Sequence, residues 1–453
     1  MTSKTLTFNR PSAAAHFREL LTYSAVPPGA GCPGLNQWRK PLIQGAQRGP
    51  VPRCSELKNS MDGIFQHRLG SAPPLSLYVH LPWCVRKCPY CDFNSHAVAG
   101  PVPEGDYIDA LLRDLEADLP LVWGRPVLSV FIGGGTPSLF EPKSIDRLLS
   151  ELRARLPLLG GAEITMEANP GTLDTARLKG FAAAGVNRLS LGVQSFEDRA
   201  LKALGRIHDA AAAYRAVEVA LKSGFERVNV DLMYGLPGQD VAGALADLDA
   251  ALVFDPGHVS WYQLTVEPNT VFYSARPELP AADALVDIEA AGLERLAAAG
   301  YRRYEVSAHA RRGQECRHNV NYWQFGDYLG IGAGAHGKLT SAEGILRTAK
   351  YRQPQAYMAR AKAGDAVAER RWVAPPERAF EFLLNALRLT DGFTWRQFAE
   401  RTGLSPLAIR PRLEAAAGQG LIALDALGAR ATARGFELLD SVLEAFLPDT
   451  ASA

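Results

Sequence analysis

The sequence predicts an α/β chain: a partial or full parallel β/α barrel followed by a small C-terminal helical domain of winged-helix type. Three observations predict it. Short β-branched apolar runs alternate with helical stretches from Leu75 onwards, the signature of βαβ units and a parallel sheet. The alternation repeats six or seven times, and right-handed crossovers curl that many units into a barrel. The polar residues and glycines that stand out fall just past the ends of the runs, where such barrels carry their sites.

The runs are Leu75–His80, Val127–Ile132, Ala162–Glu167, Arg188–Val193, Arg227–Met233, Val259–Thr265 and Arg302–Ser307. Between them lie the helical stretches Asp106–Leu119, Pro142–Leu156, Asp174–Ala184, Ala210–Ser223, Val241–Phe254 and Ala281–Ala299. The barrel is thus expected over residues 71–310, and residues 311–375 read as a less regular connection rich in aromatics and glycines. Residues 376–447 read as a separate unit. Helices are expected over Pro376–Leu389, Thr394–Thr402 and Ser405–Gln419, then a hairpin from Leu421–Leu424 and Ala429–Thr432. Its arginines do not outnumber its carboxylates, so the unit reads as a packing module and not as a DNA reader.

Residues 1–70 look different. Val26-Pro27-Pro28-Gly29 and Gly49-Pro50-Val51-Pro52 interrupt a stretch with no sustained period, which reads as a flexible extension, with Met61 the simpler start of the chain. Cys32 and Cys54 fall there and receive no role. Across all 453 residues, 47% apolar content supports a large core and two or three domains, and the net charge of +1 gives nucleic acid no electrostatic footprint. No run has the length of a membrane span. A close cysteine triplet in a cysteine-poor chain argues for reduced thiols and a cytoplasmic setting.

That triplet lies in Tyr78–Phe93, where Cys84, Cys88 and Cys91 have the spacing C-x3-C-x2-C. Three thiolates this close can wrap one soft metal centre. Three ligands on a cubane 4Fe–4S cluster leave one iron free of protein, whereas structural zinc sites usually take four ligands. One unit later comes Gly133-Gly134-Gly135-Thr136-Pro137, a turn that lets backbone approach a ligand closely. Glu167 ends the third run, a carboxylate that needs a partner if buried. Gln194, Arg206 and Asp231 follow on successive units, and together they suggest one polar site.

The cysteine loop resembles that of the radical S-adenosylmethionine superfamily. There the open iron takes S-adenosylmethionine, and the reduced cluster yields a 5′-deoxyadenosyl radical. From about Leu75 to about Phe446 the chain is similar to the coproporphyrinogen-dehydrogenase branch. By that resemblance Tyr78, Gly134 and Glu167 match residues that hold the cluster-bound S-adenosylmethionine. Gly135, Thr136, Gln194, Arg206 and Asp231 match residues that hold a second one in the oxidase, and Tyr90 stands where the oxidase has Phe. Two departures set the sub-branch. Phe93 occupies the position of the oxidase's fourth cysteine, and Cys316-Arg317-His318-Asn319-Val320-Asn321-Tyr322-Trp323 carries a His-Asn-x-x-Tyr-Trp string typical of haem chaperones. In that resemblance residues 311–375 belong to the haem or substrate region. His318 is the candidate haem ligand with Cys316 the alternative, and Tyr322 and Trp323 would cover the porphyrin. The resemblance implies a 4Fe–4S cluster, S-adenosylmethionine and haem, an acceptor apoprotein, and membrane contact only peripherally, through that acceptor. The rival reading is oxygen-independent coproporphyrinogen III oxidase, a radical decarboxylase, which the intact Gln194, Arg206 and Asp231 favour and Phe93 opposes.

Overall fold

The first strand, Leu75–Leu81, alternates Leu75, Leu77, Val79 and Leu81 with Ser76, Tyr78 and His80. Successive side chains point to opposite faces of a strand. The four aliphatics therefore share one face, and all four lie in the main core. The polar set shares the other, and the registers carry it round the sheet. Tyr78 sits beside Phe131 and Phe131 beside Thr165, Glu167 sits beside Ser190, and Gly192 beside Asp231. One face is thus a greasy bed for helices and the other a polar interior.

The computed structural model describes Leu69 and residues 72–447; the expected extension, with Cys32, Cys54 and Met61, lies outside the described residues. Six parallel strands form the heart of a 12-stranded sheet: Leu75–Leu81, Val127–Gly134, Leu158–Ala168, Arg188–Gln194, Arg227–Tyr234 and Gly257–Gln263. The sheet does not close, so the barrel is partial. Beyond the sixth strand come Ala308–Ala310 and then Arg302–Glu305, both antiparallel to their neighbours. Beyond the first strand comes Asp327–Ile331, parallel to it, followed by the antiparallel strands His336–Thr340, Ile345–Lys350 and Val367–Trp372.

Two expectations are corrected here. Arg302–Ser307 was expected to continue the parallel series. Instead Arg302–Glu305 folds straight back onto Ala308–Ala310, and so short a connection can only make an antiparallel pair. The stretch expected to be less regular supplies four sheet strands. Its glycines, such as Gly330 and Gly337, weaken the strand pattern while fitting places where other chain segments pass close by.

The helices are seated by ordinary local chemistry. Asp174, Asp209 and Asp240 each accept a backbone N–H near the start of the helices Thr175–Ala184, Ala210–Leu221 and Val241–Val253. Pro142–Arg155 buries Ile145, Leu148, Leu149 and Leu152, one helical stripe. The C-terminal unit has the helices Pro375–Ala386, Trp395–Thr402 and Arg410–Gly418 and the hairpin Ile422–Leu424/Gly428–Ala431, which Phe393–Thr394 joins as a third strand. It docks on the barrel through Phe382 edge-on to Phe325 and through a buried Arg388–Glu305 ion pair at 3.1 Å.

A second buried ionic cluster fixes the sheet extension to the barrel. Lys350 Nζ donates to Asp114 and to Asp118 of the helix Glu104–Asp118, 2.5 Å each, with all three side chains sealed from solvent. Lys350→Met would leave two buried carboxylates unpaired, and such losses cost about 3–5 kcal/mol. Chemical denaturation of the full chain is expected to show a loss of that size; a variant as stable as the parent would show that water reaches the pair.

Candidate functional site

The cysteine loop leaves the end of the first strand and is closed at its base. Trp83–Cys84 pairs with His96–Ala97, His96 N–H donates to Pro82 O at 2.7 Å, and Val98 N–H to Cys84 O at 2.9 Å. The three thiols are partly exposed and free. Burial pushes Cys84 up, and the nearby Cys91 and Cys88 thiolates push it further; Thr136 Oγ1, which donates to its sulfur at 3.4 Å, works the other way. Burial likewise raises Cys91, opposed by Ser95, whose hydroxyl lies 3.7 Å from the sulfur. Arg206 Nη1 lies 3.6 Å from Cys88 Sγ. Mutually repelling thiolates with donors and a cation around them are the donor set a thiolate-held iron–sulfur cluster needs. Among the described residues no three His, Cys, Asp or Glu side chains surround a single ion. Ligands to one multinuclear cluster each bind a different metal and need no such convergence.

The glycine turn lies directly against this loop. Gly135 N–H donates to Leu81 O at 2.8 Å and Thr136 N–H to Trp83 O at 2.7 Å. At Gly134, with φ of +116°, a Cβ would stand 2.6 Å from the His80 ring; at Gly135 it would stand 2.5 Å from Trp83 O. Only glycine fits either place. Gly134 N–H donates to Glu167 Oε2 at 3.0 Å. Beside it Tyr78 Oη meets His80 Nδ1 at 2.9 Å, and His80 Nε2 meets the Asn94 carbonyl at 2.9 Å.

The remaining predicted residues meet at the same end of the barrel. Burial, then repulsion from Asp231, lifts the Glu167 carboxyl to about 7, against the pull of the Gly134 N–H. Asp231 is also raised by burial, although Asn229 Nδ2 and Ser190 Oγ donate to it at 2.8 and 3.0 Å. Gln194 takes a left-handed backbone, φ +73°, and its Oε1 accepts from Tyr262 Oη at 2.8 Å. Arg206 donates to Gly192 O at 2.6 Å and to Tyr90 Oη at 3.5 Å. Cys84, Cys88, Cys91, Tyr78, Tyr90, Gly134, Gly135, Thr136, Glu167, Gln194, Arg206 and Asp231 therefore form one connected mouth. Sequence reasoning missed the residues that brace it: His80, Asn94, Ser190 and Tyr262. The polar half of each strand's alternation was the available signal for all but Asn94.

His318 is not at this mouth. It lies in the first turn of the short helix Arg317–Trp323, is 2% exposed, and its Nδ1 meets Ser129 Oγ at 3.0 Å near the start of the second strand. The mouth lies five residues further along that strand, about 16 Å away. Its backbone N–H donates to Glu163 Oε1, as does the Cys316 thiol, and Asn321 donates to Ser76 Oγ. The helix is a plug in the floor of the barrel. Phe131 lies between the His318 ring, 5.0 Å away, and Tyr78, 6.3 Å away. Tyr322 lies tilted between His318 and Tyr328, and Trp323 lies under the Arg388 guanidinium at 4.4 Å, towards the C-terminal unit.

Residues 78–249 match the radical SAM superfamily model and residues 373–438 the HemN C-terminal domain model. The chain is 50% identical over 378 residues to the haem chaperone HemW of Escherichia coli (83% of this chain, 99% of that protein). It is 48% identical to the haem chaperone HemW of Haemophilus influenzae, again over 83% and 99%. The solved structure of coproporphyrinogen III oxidase (HemN) from Escherichia coli superposes with a TM-score of 0.71 at 24% identity, over 84% of this chain and 94% of that one, which shows a shared fold. On the identity it shares with those two relatives over nearly their whole length, this chain belongs to the HemW family of radical S-adenosylmethionine proteins.

Proposed function

We propose that this chain is a haem chaperone: it binds haem and passes it to an acceptor apoprotein. The observation that carries the reading is 50% identity across 99% of a relative named as a haem chaperone. The superfamily implies a 4Fe–4S cluster and S-adenosylmethionine, and the thiol and donor chemistry of the mouth fits both. Cys84, Cys88 and Cys91 would hold the cluster as thiolates. Tyr78, Gly134 and Glu167 would receive S-adenosylmethionine, with Gly135, Thr136, Gln194, Arg206, Asp231 and Tyr90 lining the space beside it. When bound, the cluster supplies an electron to the sulfonium. The chain's own part is to position and to balance charge. Gly134 fixes Glu167, Arg206 offsets the thiolate at Cys88, and Thr136 donates to Cys84. Trp323, Tyr322 and His318 support the floor from below.

Phe93 sets this reading against oxidative decarboxylation. It lies two residues past Cys91, is 48% exposed, and offers no exchangeable hydrogen at the place where the oxidase carries a cysteine. The connected Gln194, Arg206 and Asp231 fit either activity. Among the described residues no helix is long and apolar enough to cross a membrane.

Replacing Cys84, Cys88 or Cys91 by Ser is expected to remove most of the brown cluster absorbance and its reduced-state paramagnetic signal. Cys316→Ser, at the floor, should leave both; a full cluster in Cys88→Ser would defeat the assignment. Because Glu167 is raised to about 7, it is mostly neutral at pH 6 and mostly charged at pH 8. A cationic ligand should then bind about ten-fold more weakly at pH 6 than at pH 8. Equilibrium dialysis of S-adenosylmethionine against the cluster-loaded chain measures this, and Glu167→Gln should flatten the dependence. In an anaerobic assay with coproporphyrinogen III, S-adenosylmethionine and reductant, no protoporphyrinogen should form. Robust turnover would make the oxidase the correct reading.

A further inference from the structure

The chain has seven described histidines, and the structure sorts them as haem ligands. His80, His208 and His258 have both ring nitrogens engaged. His96 is held by Asn94 Oδ1, 3.3 Å from its Nε2, and by the Arg352 backbone. His309 and His318 are each 2% exposed, sealed away from anything the size of a porphyrin. His336 remains: it is partly exposed, and among the described residues its ring makes no hydrogen bond. Burial, with Arg347 and Arg352 nearby, lowers it to about 4, so the imidazole is neutral and its lone pair is available to a metal.

Its position is set by the cysteine loop. Asn94, three residues past Cys91, donates to Ala333 O at 2.8 Å and to Arg352 O at 2.9 Å. These bonds staple the loop to the turn that leads into the strand His336–Thr340 and to the end of Ile345–Lys350. A Cβ on Gly330 would stand 2.0 Å from His336 O, so the chain at His336 crosses close over the strand that pairs with Tyr78. His336 is close enough to His80 for their charges to interact, and His80 touches Tyr78 and the Gly134 turn. The exposed Arg352 interacts with His336, His80 and His96. The exposed Phe93 ring is one residue from Asn94.

We propose that His336, and not His318, would supply an imidazole to haem iron at the rim of the mouth, with Arg352 beside it to pair with a propionate. A neutral imidazole binds iron, a guanidinium pairs with a carboxylate, and an apolar ring covers porphyrin edge. The site sits beside the cysteine loop, so cargo and cofactor share one rim. The inference rests on the haem-chaperone reading.

Haemin titration of the full chain, followed by absorption and paramagnetic resonance, tests it with His336→Gly, His318→Ala and Arg352→Ala. His336→Gly is expected to shift the Soret band and to weaken binding about ten-fold or more, and added imidazole should restore the parent spectrum. Arg352→Ala should weaken binding with the spectrum unchanged. His318→Ala, if folded by circular dichroism, should keep the parent spectrum. A parent spectrum and affinity in His336→Gly would overturn the assignment, as would a changed spectrum in a folded His318→Ala. Absence of saturable haemin binding by the parent chain would fell the chaperone reading itself, which separates the two failures.

Discussion

Two backbone hydrogen bonds, Gly135 N–H to Leu81 O and Thr136 N–H to Trp83 O, hold the rest of the site in place. They press the turn after the second strand onto the chain that enters the cysteine loop. That contact has no room for a side chain at Gly134 or Gly135. It delivers the Thr136 hydroxyl to Cys84 and the Gly134 N–H to Glu167. The three thiols, the turn and the first carboxylate are thus one mechanical unit. Its geometry comes from backbone, which shifts less than side chains do when a ligand arrives.

The interior below this unit is polar, which would be costly if left unsatisfied. The chain meets that cost with a floor. Ser76 and Ser129 bond each other at 2.8 Å, Arg227 pairs with Glu163 at 3.2 Å, and His258 bridges Asn229 and Tyr304. The helix Arg317–Trp323 closes the end. An aromatic column, Tyr328, Tyr322, His318, Phe131 and Tyr78, runs from that plug up towards the mouth. The His-Asn-x-x-Tyr-Trp string therefore matters to the site as its foundation.

Much of this was legible in the sequence because the alternation inside each run is strong. Leu75, Leu77, Val79 and Leu81 against Ser76, Tyr78 and His80 give both the strand and its sidedness. The cysteine spacing and the residues past the strand ends located the mouth, because a parallel barrel gathers strand ends whatever their separation in sequence. Two things were hidden. Strand direction beyond residue 300 depends on which partner the chain meets, and Arg302–Glu305 carries no mark of turning back on itself. Likewise, a string of chemically suggestive residues does not say which end of a barrel it faces. His318 looked like a ligand by its neighbours, while His336, in Gly334-Ala335-His336-Gly337, fell in the stretch read as less regular and drew no role.

Haem and cofactor chemistry then meet at one rim in this account, with the barrel floor sealed. The central claim, that the chain carries haem as releasable cargo, is tested most directly by loading the cluster-bound full chain with haemin and passing it through gel filtration. Apomyoglobin is then added as a haem sink. The account predicts one haem per chain surviving filtration and then leaving for the sink as intact haem. No haem retained, or haem that never leaves, would contradict it.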